Sequence, residues 1–343
     1  MRLIPIEKLR VGSKLAVDIL DERFTKLLPK GHILTEVNVA RLKTTNIATV
    51  YITDEYCSST EETYTSQAQN VLPKATKIKQ AIYNTANGVN TSESIAMGLK
   101  TINEIVNDMD KQKYSLKIAY EPKKIAVDDF GEEIVYIAMM SSLFALKMGF
   151  TKQQAAVICL GTVLRDIAVI SPRFKGTVSP YSKLHPIKGY EHMKQNYNFP
   201  EAVLQIILQH HELYDGKGYP YGLKGKEICD GARIVAIIET FYKLKTNSVN
   251  TSGKTLQQDV TRNLGYLDPD YIEQFLRHVT IFGTDSLVIL TNGDVATVTY
   301  TPSDNPFRPQ VKIIKSITYP KGTIINLHES KTLEIFKVIY YID

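Results

Sequence analysis

The stretch Leu208 to Pro220, LQHHELYDGKGYP, brings the chemistry of this chain together. A helix with Val203, Ile206 and Ile207 on its apolar face runs into two adjacent histidines, His210 and His211. His210 continues that face at i+3 and i+4 from Ile207 and Ile206, and His211 continues the row of Leu204 and Leu208, so both imidazoles point inward. An inward histidine at a helix C-terminus can also act as a cationic cap favoured by the helix dipole. Two in a row leave capping and ligation evenly matched. Asp166 lies in one row with Ala156, Cys159 and Val163 on an apolar helix, and a buried carboxylate there needs a cation or several donors. Its neighbour Arg165 leaves the helix about 100° away, with a stem long enough to fold back. Glu239 poses the same problem among Ala232, Val235 and Tyr242, and His185 opens a further helix. Histidines and carboxylates on inward helical faces are the donor set of a hard or borderline metal centre in a helical bundle. The turn that follows, Gly216 to Pro220, sets Lys217 and Tyr219 at the mouth of whatever the histidines bind. Its Gly-Lys-Gly triplet lacks the frame of a phosphate-binding loop and by itself is only a turn.

These residues need helices to hold them. Helical periodicity runs through residues 126 to 280, with helices expected at 131–149, 151–170, 185–196, 200–213, 230–245, 254–264 and 268–279. Residues 1–58 alternate short apolar runs with turns and predict a small α+β domain. Residues 59–125 shift to Ser, Thr, Asn, Gln and Lys and predict a helical connector. After residue 280 the texture becomes β-branched alternation with turns, predicting a small antiparallel β module over 281–343. In the connector, Ile95, Leu99, Ile102, Val106 and Met109 are spaced 4, 3, 4 and 3. Such a seam packs on its own chain or forms a homodimer through 95–109, and two heptads are short for a coiled coil.

Composition narrows the classes. The 343 residues are 43% hydrophobic and 22% charged, which is the balance of a folded chain. The net charge is +5 and no block of like charges appears, so DNA is not an expected partner. Cys57, Cys159 and Cys229 are odd in number and widely spaced, which fits a reducing cytoplasm better than a disulfide framework. The apolar run Ile134 to Phe150 is interrupted by Ser141, Ser142 and Lys147 and reads as a buried helix, not a membrane span. The N-terminus carries no signal-peptide pattern.

The segment HHELYDGKGYPYGLKGKEICDGARIVAIIETF resembles the signature of HD-GYP domains, the metal-dependent branch of HD phosphohydrolases that hydrolyses cyclic di-GMP. Upstream, LRDIAVI (164–170) resembles the family's L-H-D-I-G-K-I, and HPIKG (185–189) its H-P-x-x-G, so the resemblance covers about 126–280. It implies a mainly α protein with a helical HD-type bundle at its centre. One of the family's two metals maps onto Asp166, His185, His210 and His211, a complete set, and Asp166 would be the catalytic residue if the protein is active. The second metal's residues are changed. The first histidine, expected near Ile134, is absent, with Glu132 and Glu133 the nearest polar side chains. The His of H-D is Arg165, the Lys of D-I-G-K is Val169, and the final Asp is Glu239. The segment joining Asp166 to His185 is short, and the family's later R-P-Y-R has no counterpart in Tyr242 to Lys254.

A two-metal site makes its nucleophile by acidifying water between the ions, so losing one ion removes the usual nucleophile, while Arg165 retains affinity for phosphate. The resemblance therefore implies a divalent ion (Fe, Mn, Zn or Ni), one per chain or fewer than the family's usual two, with Arg165, Lys217, Gly218, Tyr219 and Pro220 around the ligand. Three readings follow. The first is a degenerate HD-GYP receptor or scaffold that binds cyclic di-GMP or another phosphate ligand. The second is a working cyclic di-GMP phosphodiesterase whose metal shell is rebuilt with Glu239 and Glu132 or Glu133. The third is an interaction module docking a signalling partner such as a cyclic-di-GMP synthase domain.

Overall fold

The computed structural model describes all residues except 21–25, 46, 48, 58–61, 90, 115, 117, 120–129, 248–257, 259, 261, 263–264, 303–304 and 343. The chain is mainly α, with a small α+β region at its N-terminus and an antiparallel sheet at its C-terminus, as the sequence predicts. At the N-terminus β1 (Arg2–Pro5), β5 (Thr49–Thr53) and β2 (Lys14–Leu15) form an antiparallel sheet in the order β1-β5-β2. The strands β3 (Ile19–Leu20) and β4 (Lys26–Leu28) form a separate pair. Helix α1 (Glu36–Lys43) starts at a capping box between Thr35 and Asn38, which satisfies two of the amides left free at a helix start. Ile4, Leu15, Leu34, Val39, Leu42 and Ile52 close a small core of their own.

That core takes in Tyr340 and Tyr341 from the far end of the chain. Arg2 pairs with Asp54 and donates to the carbonyl of Tyr340 at 2.9 Å, and the Tyr341 hydroxyl lies 2.9 Å from Ser13 Oγ. The first and last segments are thus joined, a contact between residues too distant in sequence for local patterning to show.

The long helices α2 (Glu62–Asn87) and α3 (Thr91–Gln112) follow. Ile102, Val106 and Met109 of the apolar seam are buried in a core shared with Ile78 and Ile82 of α2, while Leu99 stays exposed. The seam is used within its own chain.

The central bundle consists of α4 (Phe130–Lys147), α5 (Lys152–Leu164), the single turn α6 (Ile167–Ile170), α7 (His185–Asn196), α8 (Glu201–Gln209), α9 (Asp230–Asn247) and α10 (Pro269–His278). The helix expected over 254–264 falls largely outside the described residues. Helix α5 starts at a second capping box, Thr151 with Gln154, and α10 at Asp268, whose side chain accepts from the amides of Asp270 and Tyr271. The run Lys152–Ile170 passes the length and hydropathy test for a membrane span, but 67% of it is buried inside the bundle.

Ile206 of α8 fixes how the bundle closes. A Cβ on Gly161 of α5 would lie 2.7 Å from Ile206 Cβ, and one on Gly231 of α9 2.5 Å from Ile206 Cδ1. Only glycine lets α5 and α9 approach α8 this closely. At Gly189 of α7 an added Cβ would stand 3.1 Å from Ile207 Cγ2, a tight contact that a small shift of the methyl would relieve. These approaches bring the ends of α5, α7 and α8 to one place.

Strand β6 (Ile118–Ala119) pairs in parallel with β7 (Val279–Thr280). The chain ends in a five-stranded antiparallel sheet of β8 (Leu287–Leu290), β9 (Val295–Tyr300), β10 (Gln310–Lys315), β11 (Ile324–Asn326) and β12 (Ile335–Ile339), ordered β11-β10-β9-β8-β12. Alternation along β10 puts Val311 and Ile313 in the core and leaves Lys312 exposed.

Candidate metal centre

The sequence predicts one unbroken helix over 151–170, but the structure interrupts it at the functional residue. Helix α5 stops at Leu164, and Asp166 takes φ −102° and ψ 19°, outside helical geometry, before α6 begins. Asp166 is buried at this break and its carboxylate faces α7 and α8. His185 is the first residue of α7, followed by Pro186 at a position where the missing amide costs nothing. His210 caps the end of α8 and His211 follows it.

Asp166, His185, His210 and His211 each offer a ligand atom, and all of these atoms lie within 4.8 Å of one another. Donors at about 2.1 Å around one ion span about 4 Å, so the set is near the size a single ion needs. The tautomers point the same way. His185 Nδ1 lies 2.8 Å from the carbonyl of Ser182, and His210 Nδ1 2.8 Å from that of Ile207. A carbonyl only accepts, so each Nδ1 donates and each Nε2 keeps a lone pair. The two Nε2 atoms are 3.1 Å apart, with Asp166 Oδ1 at 3.5 Å from one and 3.8 Å from the other. Lone pairs converging beside a carboxylate oxygen are reconciled by a cation among them, and the residues present fit a divalent metal. Burial pushes the imidazoles of His210 and His211 down to about 3 and also lowers His185. All three are therefore neutral near pH 7, the form in which histidine ligates.

Glu239, expected among the metal residues, does not join this group. Lys243 Nζ donates to its Oε1 at 2.5 Å, and its Oε2 faces Arg165 Nε at 3.9 Å. Burial opposes ionisation of Glu239, but the charges of Arg165 and Lys243 outweigh it and hold the carboxyl down at about 2. Arg165 folds back as its stem allows. Its side chain is 2% exposed, its Nη1 donates to the Thr162 carbonyl at 3.0 Å, and its Nε lies 3.2 Å from Asp166 Oδ2. Glu133 of α4 is half-buried near the same charges. Burial raises its pKa, with Arg165 opposing and Glu239 adding to the rise. Glu132 has no described side chain.

The loop after the histidines forms the wall of the centre. Tyr219 stacks on His211, with ring centroids 4.7 Å apart at 26°, and stands edge-on to His185 at 6.3 Å. The Tyr219–Pro220 peptide is cis. Burial first, then the carboxylates of Glu239 and Asp166, push the Tyr219 hydroxyl up to about 12, so it remains a hydrogen-bond donor. Lys217, expected at the mouth, is exposed and paired with Asp215 at 2.9 Å. Lys183, whose Nζ lies 5.8 Å from the Tyr219 ring centroid, is a residue the sequence does not single out because it lies in an irregular segment.

Glu212 is the other residue that sequence reasoning misses. It is buried, and its two carboxylate oxygens accept from the amides of Tyr221 at 2.7 Å and Leu223 at 3.0 Å. The signal was available, because a Glu directly after two inward histidines is a third buried polar group in need of partners. Glu212→Ala removes two charge-assisted hydrogen bonds and is expected to cost about 3 kcal/mol. Glu212→Gln keeps only one good acceptor and should fall between. Hydrogen exchange at Tyr221 and Leu223 should quicken in both variants while metal content stays at the wild-type level. Unchanged exchange would show that the loop is held by other contacts.

Part of this region matches a known family. The family model for the HD domain matches residues 181–262, and the model for a KOW domain associated with the HD domain matches 287–341. The chain is 30% identical over 156 residues to the cyclic di-GMP phosphodiesterase response regulator RpfG of Xanthomonas campestris, covering 43% of this chain and 40% of that protein. It is 27% identical over 135 residues to the cyclic di-GMP phosphodiesterase PA4108 of Pseudomonas aeruginosa, covering 38% and 33%. It is 28% identical over 156 residues to a cyclic di-GMP phosphodiesterase of Thermotoga maritima, covering 41% and 42%. The chain thus spans about two fifths or less of the length of these relatives. A solved structure, Bd1817, an HDG"Y"P protein from Bdellovibrio bacteriovorus, aligns with 80% of this chain and 97% of its own at 18% identity and a TM-score of 0.48. The central bundle carries an HD domain. The HD-domain match and the named relatives together support placement of the chain in the HD superfamily.

Proposed function

We propose that this chain binds cyclic di-GMP or a related phosphate-bearing nucleotide at a single divalent metal and acts as a receptor or scaffold, with little or no hydrolysis. The division into 1–58, 59–125, 126–280 and 281–343 belongs to the same reading, with 126–280 as the ligand-binding part and the protein acting in the cytoplasm. One observation carries it. Asp166, His185, His210 and His211 converge as a complete donor set on one side of Asp166, while a fixed guanidinium stands on the other. The names of the three relatives supply the ligand class. The ion would hold phosphate oxygen as a Lewis acid. The chain's own residues supply the rest, with the Tyr219 hydroxyl a neutral donor beside His211 and Lys183 a cation near the Tyr219 ring.

The test is calorimetric titration of cyclic di-GMP into the Mn2+-loaded protein, beside the chelated protein and His210→Ala. Binding should weaken at least about tenfold, about 1.4 kcal/mol, on chelation or mutation. Absence of binding, or binding indifferent to both, contradicts the proposal. A second reading, a working phosphodiesterase, is favoured by the relatives' names, and turnover in the same preparation distinguishes it. A third reading, docking of a partner such as a cyclic-di-GMP synthase domain through the Gly218-Tyr219-Pro220 turn and the 95–109 seam, predicts partner binding that needs neither metal nor nucleotide.

A further inference from the structure

The two oxygens of Asp166 face different partners. Oδ1 looks into the space shared by His185 and His210, and Oδ2 looks at Arg165 Nε at 3.2 Å. Beyond Arg165 stands Glu239, its Oε2 3.9 Å from the same Nε and its Oε1 taken by Lys243. A carboxylate shared between two cationic positions, with a second carboxylate completing the far one, is the layout of a two-ion site. Here the far position is filled from within the chain. We propose that Arg165 is a resident cation that takes the place of a second metal ion between Asp166 and Glu239 and sets the capacity of the centre at one ion. This rests on the single-ion reading above and adds the residue that enforces it.

Three physical points support the assignment. The guanidinium is a planar cation already set between the two carboxylates that a second ion would need. It is 2% exposed and tied to the Thr162 carbonyl, so swinging into solvent would give up that hydrogen bond and both carboxylates. Its Nε is buried without a well-aligned hydrogen bond although two carboxylates stand close by. Charge compensation of the two acids, more than hydrogen-bond geometry, therefore accounts for its position. A divalent ion entering beside it would meet a fixed positive charge where water screens poorly.

Removing the guanidinium reverses the balance. Asp166 and Glu239 would share a buried space that lacks one of its cations, and unpaired buried charge is costly enough to recruit a replacement. Arg165→His adds an imidazole donor to the two carboxylates, and Arg165→Gln vacates the charge without adding a ligand of comparable strength. Arg165→Lys keeps a cation in place.

The experiment is anaerobic Mn2+ loading of the full chain, with bound metal counted after equilibrium dialysis and examined by low-temperature EPR, in which an isolated ion and a coupled pair differ. The wild type and Arg165→Lys should each hold one isolated ion, and Arg165→His should hold two with a coupled signal. Arg165→Gln should bind a second ion more weakly than Arg165→His. Two ions in the wild type, or one ion in a folded Arg165→His, overturns the proposal, and should Arg165→His not fold, the count for Arg165→Gln decides. Ion counts do not depend on nucleotide binding. Failure of cyclic di-GMP to bind therefore leaves this inference standing, and a wild-type count of two leaves the question of ligand binding open.

Discussion

Asp166→Ala is expected to lower stability by about 3–5 kcal/mol and metal affinity by at least about 100-fold, the largest effect of any single change in the bundle. One carboxylate serves two neighbours. Its Oδ1 is the anionic member of the four-residue donor set, and its Oδ2 is the nearer counter-charge to Arg165, which lies 3.9 Å from Glu239. Removal leaves a buried guanidinium half-compensated and three neutral imidazoles without the carboxylate that favours a cation among them. Losses to a ligand's supporting partner already reach about 10–100-fold in metal affinity, and Asp166 is a member of the set itself. Asp166→Asn separates the two roles, because the amide keeps the volume but not the charge. Urea unfolding of the metal-free proteins reads the Arg165 contribution, and equilibrium dialysis with Mn2+ reads the ligand contribution. A loss below about 1 kcal/mol with full metal retention would remove Asp166 from the centre.

Gly218→Ala is expected to cost about 1–3 kcal/mol and to weaken nucleotide binding at least about tenfold while leaving the four metal residues in place. A Cβ at position 218 would collide with the backbone amide of Leu213 and lie 2.6 Å from the carbonyl carbon of Glu212. Both are main-chain atoms of the segment that follows His211, so no side-chain rotation relieves the contact. The loop must move outward and take Tyr219 off the His211 ring. Neighbouring glycines differ. Gly216 has φ +82°, and an added Cβ there would meet nothing nearer than 3.5 Å, so its substitution costs backbone strain without a collision. Titrations of metal and nucleotide into the same variant separate the effects, and unchanged nucleotide affinity would show that Tyr219 does not contribute to the ligand site.

Much of this centre is legible in the chain because its residues sit at helix ends with clear apolar periodicity. The rows Ile206, Ile207, His210 and Ala156, Cys159, Val163, Asp166 fix inward directions from spacing alone. What periodicity cannot supply is the break at Leu164 to Ile167. With no Gly or Pro between Thr162 and Ile170, the run reads as one helix, yet the backbone turns at Asp166 to place its carboxylate between α7 and α8. Lys183 and Glu212 escape for related reasons. One lies in an irregular segment whose course depends on tertiary packing, and the other works through its carboxylate on backbone amides 9 and 11 residues away. Periodicity assigns Glu239 to the right face of α9, but only Lys243, one turn on, shares that helix, while its other partner, Arg165, comes from the end of α5. The joining of Arg2 and Ser13 to Tyr340 and Tyr341 spans nearly the whole chain, beyond any local pattern.

The most direct test of a nucleotide-binding, single-ion centre is to incubate the purified protein anaerobically with ferrous or manganous ion and cyclic di-GMP, and to follow bound and hydrolysed nucleotide in the same sample. His210→Ala serves as the control. The account predicts that intact cyclic di-GMP is recovered from the wild type in a His210-dependent complex, with no linear or mononucleotide product above the control. Steady product formation abolished by His210→Ala would contradict it, and would mean that Arg165 and Glu239 belong to a working hydrolytic site.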